Sequence, residues 1–308
     1  MKIFRKNKAF SLIEISIVIL VIGILIFGIS SGIDLYQDFR LESANQLTQK
    51  SIAGRIDGLT LWFETTSNQS FQKSKPFHNE PIAFWKNLNQ QLSQPINVYQ
   101  NDSQFQPKYI LNAINGLPAL NFNDGIRYFI SDPVLYSEIS ASDEITIFFV
   151  GKSMGTNISN NPHTFFAYSE KNESGSEIFR NQIYLFLNNK ILFQFGRLCS
   201  STAPFSDNSC KASVSQSINN HPKRNFITTI VKNKNIVDIY LNKVVSSQNN
   251  AHSDVYPNYN SKNSIYLGGN TTRSSLNYFG EIIIYNRSLS TNEIEKIHEY
   301  LINKWNIY

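Results

Sequence analysis

The sequence predicts an α+β protein: a long N-terminal helix that spans a membrane, then an all-β sandwich, then a C-terminal helix. Three observations predict it. Residues 15–33 read ISIVILVIGILIFGISSGI without a charge, and at 1.5 Å per residue such a helix crosses a hydrocarbon core. From residue 59 onward the chain breaks into short β-branched and aromatic runs separated by Asn- and Ser-rich stretches, the pattern of a sandwich. Residues 290–305, STNEIEKIHEYLINKW, place Ile294, Ile297, Leu301 and Trp305 at helical spacing. Of 308 residues 41% are apolar and 17% charged, which sets the chain apart from the disordered class.

The charge is concentrated at one end. Lys2, Arg5, Lys6 and Lys8 precede the apolar run, and without them the net charge of +5 falls to +1. The near-neutral body is not built to capture polyanions, so no nucleic-acid partner is expected. A basic flank holds the N-terminus in the cytoplasm and sends the rest across the inner membrane. Two readings of the run remain. One is a secretory signal peptide removed after the apolar run, where the small residues Gly28, Ser30 and Ser31 permit a cut although no A-x-A pattern is present. The other must explain Glu14, because a carboxylate in a membrane helix costs about 2–3 kcal/mol and needs a partner or a function.

Residues 8–25, KAFSLIEISIVILVIGIL, resemble the N-terminus of type IV pilins and type II secretion pseudopilins. The resemblance implies a basic leader over residues 1–9, cut between Ala9 and Phe10 by a prepilin peptidase, with methylation of the new Phe10 amine. It also implies that Glu14, the fifth residue of the mature chain, neutralises the N-terminal amine of a neighbouring subunit in a filament. Two buried charges that are costly alone compensate as a pair. The chain departs from the pattern in two ways: Ala9 stands where Gly is usual, and no Pro interrupts the helix. Gly28, Ser30, Ser31 and Gly32 supply a soft point instead. The pilin-like helix is expected over residues 10–55, spanning the membrane at about 10–33. Beyond the span, Tyr36, Phe39, Ala44, Leu47 and Ile52 form a narrow stripe; the resemblance implies that this half packs under the globular domain, and the alternative is a solvated stalk with no docking.

Strands are expected over residues 59–64, 119–122, 145–150, 164–168, 183–187, 191–195, 226–232, 236–241, 264–267 and 280–285. Asn188–Asn189 and residues 232–235 read as hairpin turns, because Asn tolerates positive φ. Ser290 or Thr291 caps the C-terminal helix, with Glu293 in its first turn. The segments LTLWF (59–63), FWKNL (84–88), INGLPALNF (114–122), YLGG (266–269) and GEIIIYNRSLS (280–290) together resemble the laminin-G-like branch of the concanavalin A-like jelly rolls. That resemblance covers residues 56–308 and implies a two-sheet jelly roll used to bind carbohydrate or protein, with Ca²⁺ in some relatives.

No catalytic constellation is legible, and a non-enzyme is expected. Glucanases of this architecture carry paired carboxylates at alternating strand positions, and no predicted strand here has them. Glu170, Glu173 and Glu177 fall in a polar stretch. His78, His163, His221, His252 and His298 have no nucleophile motif beside them. Asp102, Asp124, Asp132, Asp143 and Asp254 lie in predicted loops that could gather round Ca²⁺, but no EF-hand loop is present. No cofactor or metal is expected.

Cys199 and Cys210 bracket a short loop in a compartment that permits disulfides, and a bond there stabilises by about 3 kcal/mol. Trp62, Trp85 and Trp305 read as core, whereas the loop residues Tyr99, Tyr256 and Tyr259 are candidates to face a ligand. The expected function is a minor pilin or pseudopilin displaying a lectin-like sandwich. The alternative is a carbohydrate-binding module, secreted or membrane-anchored, outside any filament.

Overall fold

A strand that is apolar on both faces must be covered on both, and the Asn277–Tyr285 strand is the clearest case. In the computed structural model Phe279, Ile282 and Ile284 face one core while Ile283 and Tyr285 face another. The described residues run from 11 to 308, except 74, 123–124, 142, 154–162, 172–176, 179–181, 188–189, 197–210, 218–224, 235, 251–261, 271–272 and 275–276. The chain forms two units, one ending at Ser43 and the other spanning Ala44–Tyr308.

Two antiparallel sheets make the second unit. The first runs in the order Val244–Asn250, Ile236–Leu241, Asn225–Asn233, Glu144–Ser153, Asn277–Tyr285, Leu117–Asn121 and Lys108–Ile114, with Leu59–Glu64 also paired to Asn277–Tyr285. The second runs Lys211–Ser217, Lys190–Gly196, Gln182–Leu187, His163–Lys171, Lys262–Leu267, Phe129–Ser131, Val98–Tyr99 and Phe84–Trp85. Between the sheets lie Phe63, Phe122, Phe149, Ile230 and Ile282 from the first and Trp85, Phe129, Phe166 and Ile265 from the second. The outer face of the first sheet, with Trp62, Phe148 and Ile283, is covered by Ile294, Ile297, Leu301 and Trp305 of the C-terminal helix, Thr291–Trp305. Three layers result, and the middle sheet is apolar on both sides for that reason.

Most expected strands are present with ends extended by one to three residues. Three longer ones were not expected: Lys108–Ile114, Lys211–Ser217 and Val244–Asn250. The first pairs with Leu117–Asn121 across Asn115–Gly116, both at positive φ. The other two are rich in Ser, Gln and Asn, and backbone pairing sets them rather than apolar alternation. Glu170 and Glu177, read as loop residues, lie in paired strands. Asn188–Asn189, Glu173, Asp124, Asp254, Tyr256, Tyr259, Cys199 and Cys210 fall outside the described residues.

The N-terminal helix runs from Leu12 to Lys50, and a single 3₁₀ turn follows at Ala53–Arg55. Of the expected stripe, Ala44 is buried and Leu47 and Ile52 pack on the outer core. Tyr36 and Phe39 are exposed. Trp62, Trp85 and Trp305 are core, as their motifs suggested. The capping residue of the C-terminal helix is Ser290, which accepts from the Glu293 N–H while the Glu293 carboxylate accepts from the Ser290 N–H.

A buried ionic cluster joins four elements of this unit. Lys304 Nζ lies 2.9 Å from Glu64 Oε2 and 2.9 Å from Glu281 Oε2, and all three side chains are fully buried. The ammonium also donates to Thr48 Oγ1 at 2.7 Å. Glu281 accepts further bonds from Trp62 Nε1, Trp305 Nε1 and the Tyr300 hydroxyl at 2.7–2.8 Å. Glu64 accepts from the Thr66 N–H and hydroxyl, both at 2.6 Å, from the Ser67 N–H and from Ser70 Oγ. Desolvation and the nearby Glu281 hold the Tyr300 phenol well above its ordinary pKa.

Two stability predictions follow from these contacts. Replacing Lys304 by Ala strands two buried carboxylates and is expected to cost about 3–5 kcal/mol in urea unfolding. His298 lies between Phe148 and Tyr240 with its ring nitrogen 2.8 Å from Thr229 Oγ1, and burial lowers its pKa to about 4. The unfolded chain binds that proton near pH 6.5, so stability falls as pH drops from about 6.5 to about 4, by up to about 3 kcal/mol. A His298→Gln variant should lose that slope when unfolding midpoints at pH 7.5 and 4.5 are compared.

Candidate functional site

Short strands make up one end of the second sheet. Val98–Tyr99 pairs with Phe129–Ser131 on one side and Phe84–Trp85 on the other. Nearby, Val134–Leu135 pairs with the start of Lys262–Leu267, with Leu135 opposite Lys262. These elements enclose a cleft of about 410 Å³. That is large enough for a small ligand.

The apolar lining of the cleft is Phe84, Pro95, Ile96, Pro133, Val134 and Leu135. The polar lining is Gln94, Asn97, Tyr99, Asp132, Glu138 and Lys262. The Tyr99 hydroxyl donates to Asp132 Oδ1 at 2.9 Å. That bond to the carboxylate, with some desolvation, raises the phenol above its usual pKa.

The positions of these groups are set from behind. Ser131 Oγ donates to the Asp132 carbonyl at 2.6 Å and accepts from the Ile265 N–H at 2.9 Å. The buried Tyr168 hydroxyl donates to the Val134 carbonyl at 2.9 Å. Asn97 Oδ1 accepts from the Asn87 N–H at 2.9 Å, which orients its amide –NH₂ as a donor. Chemically the described lining offers two carboxylates, two amides, a phenol and an ammonium together with six apolar residues.

Of the loop residues singled out from the sequence, the structure brings Tyr99 and Asp132 together. It keeps the other described carboxylates apart. Asp102 caps the 3₁₀ turn Ser103–Phe105, and Asp143, at φ 63°, pairs with Lys232. Among the described residues no group of three His, Cys, Asp or Glu side chains is placed to hold a metal ion. Gln94, Asn97, Glu138 and Lys262 carried no signal in the sequence, because only pairing between distant strands gathers them.

The N-terminal helix is a second candidate element. Leu12–Ile29 is long and apolar enough to cross a membrane, and none of it is buried. Glu14 lies in its first turn, where Oε2 accepts from the Ser11 N–H at 2.8 Å. Ala9 and Phe10 fall outside the described residues.

No protein-family model matches the sequence, and no curated protein matches it. Solved structures do share its fold. The binding domain of Paraclostridial Mosquitocidal Protein 1 superposes with a TM-score of 0.53 at 12% identity, over 82% of this chain and 55% of that one. The receptor binding domain of botulinum neurotoxin mosaic serotype C/D gives 0.55 at 14%, over 83% and 55%. The botulinum neurotoxin serotype D ligand binding domain, solved in complex with N-acetylneuraminic acid, gives 0.55 at 14%, over 83% and 56%. The chain thus has the fold of part of these β-rich binding domains and spans little more than half their length.

The Tyr99–Asp132 contact has a direct readout. Asp132→Asn removes the charge that the phenol faces, so the tyrosine titration that Tyr99→Phe deletes should move down toward the ordinary range. Difference ultraviolet absorbance between the single and double variants measures it.

Proposed function

We propose that the protein is a prepilin-like subunit, held in the inner membrane by its N-terminal helix, that displays a glycan-binding β-sandwich of the concanavalin A-like jelly-roll type. The observation that carries the subunit half is Glu14. It is a carboxylate in the first turn of an exposed apolar helix. A lone charge in a membrane helix calls for a partner, and the amine of a processed Phe10 on a neighbouring chain is one of matching charge. In this reading a prepilin peptidase removes residues 1–9, Phe10 is methylated, and other pilin or pseudopilin subunits are the assembly partners. The globular unit then lies on the periplasmic side or at the cell surface.

The binding half of the reading draws on the cleft. A sugar ring presents hydroxyls that donate and accept and C–H faces that are apolar, and the cleft is lined by amides and carboxylates as well as by apolar side chains. The neighbouring structures are binding domains, one of them solved with a bound sugar acid. The role we infer is binding, in keeping with neighbouring structures that are binding domains. A second reading, a carbohydrate-binding module anchored or secreted outside any filament, is favoured by the fold likeness taken alone.

The N-terminal residue of protein recovered from native membranes separates these readings. Mass spectrometry should find a chain beginning at methylated Phe10. An intact Met1 or a start near Ser31 would sink the subunit reading and leave the module. Glu14→Ala should reduce incorporation into filaments at least tenfold without altering sugar binding by the same protein in detergent.

A further inference from the structure

A buried amine and a buried carboxyl meet where one strand of the first sheet ends and its neighbour begins. Lys232 is the next-to-last residue of Asn225–Asn233 and lies opposite Ile145 of Glu144–Ser153. It follows Ile230 by two positions and so shares its face, and Ile230 and Ile145 both belong to the core between the sheets. Asp143 stands one residue before Glu144, at a φ of 63°. Its carbonyl accepts from Lys232 Nζ at 2.8 Å and from the Lys234 N–H at 3.2 Å. Lys232 Nζ is also in contact with Asp143 Oδ1. That contact does not have the geometry of a hydrogen bond, and the buried Oδ1 makes no hydrogen bond to any other group. Only 1% of the Lys232 side chain and 12% of the Asp143 side chain are exposed. Burial raises the Asp143 carboxyl above its ordinary pKa and lowers the Lys232 amine below its own, in each case against the pull of the partner's charge. Both shifts favour the uncharged forms. A free amine and a carboxylic acid are the nucleophile and the electrophile of amide formation.

We propose that Lys232 and Asp143 form a self-modification site, at which Nζ and Cγ join in an amide bond that links the two strands covalently. Nζ attacks Cγ, the Cγ–OH bond breaks, and a proton from the amine joins the departing hydroxyl. One water is released, and no oxidant, metal or nucleotide is consumed. The held contact between the two groups lowers the barrier to their condensation. Exclusion of water from the site opposes the reverse hydrolysis. The product ties Asn225–Asn233 to the residue that precedes Glu144–Ser153, and the tie survives unfolding and reduction.

The test uses the full chain recovered from membranes in detergent, then reduced, alkylated, digested with trypsin and weighed by mass spectrometry. An acylated lysine is not cut by trypsin, so the main product should join residues 128–152 to residues 225–234. Its mass should be one water below that of the two peptides together. Lys232→Arg keeps the positive charge but has no Nζ to acylate, and it should yield no linked product. Asp143→Asn should give a linked product identical to that of the parent, because Nζ then displaces ammonia in place of water; a simple ion pair would be lost in this variant. Residues 128–152 and 225–232 found mainly as separate, unmodified peptides in the parent would overturn the proposal, and this reading does not depend on whether either variant folds. A linked product that persists in Lys232→Arg would place the amide on another amine and overturn the assignment to Lys232.

Discussion

Lys304 places an ammonium where water does not reach, between the carboxylates of Glu64 and Glu281. Each of those charges alone would cost several kcal/mol in the interior, so the three residues must arrive together. Glu64 comes from the Leu59–Glu64 strand, Glu281 from Asn277–Tyr285, Lys304 from the C-terminal helix and Thr48 from the last turn of the N-terminal helix. The cluster therefore sets the position of the helix on the sheet and the register of two strands that are more than 200 residues apart in sequence. Every carboxylate oxygen in it accepts at least two bonds, which is the condition under which a buried polar network specifies a structure rather than weakening it.

Close packing extends from that point. Gly280 lies one residue before Glu281, and a Cβ there would stand 2.7 Å from the Trp305 ring. The strand bulges at the same place, between Phe279 and Glu281. The bulge turns Phe279 toward the inter-sheet core, where it meets Phe122 at 4.3 Å and Phe149 at 5.0 Å between ring centroids. One small residue thus lets the helix approach and lies at the bulge that re-aims an aromatic of the inter-sheet core.

The interior and the cleft treat charge in opposite ways. The Lys304 cluster is sealed and its donors and acceptors are used within the protein, whereas Tyr99 and Asp132 meet at the surface with bonding capacity left for a ligand. The Ser131 and Tyr168 hydroxyls bond the carbonyls of Asp132 and Val134, and this ties the backbone beside the cleft to the second sheet. Preorganisation of this kind lowers the ordering cost that binding must overcome.

Local pattern alone determined the apolar helix, the strand-rich body, the C-terminal helix with its Ser290–Glu293 cap, and the core placement of the three tryptophans. Each depends on neighbours within a few residues, so a reader of the chain can see it. The polar strands Lys211–Ser217 and Val244–Asn250 were not visible, because their pairing partners rather than their own side chains put them in a sheet. Tyr99 and Asp132 could be picked out as loop residues with useful chemistry, but their pairing across 33 positions could not. Glu64, Glu281 and Lys304 look like ordinary solvated charges in the sequence. Only the tertiary structure decided that they are buried and matched, because the energy of a buried charge is set by what surrounds it, and that surrounding is assembled from four distant segments.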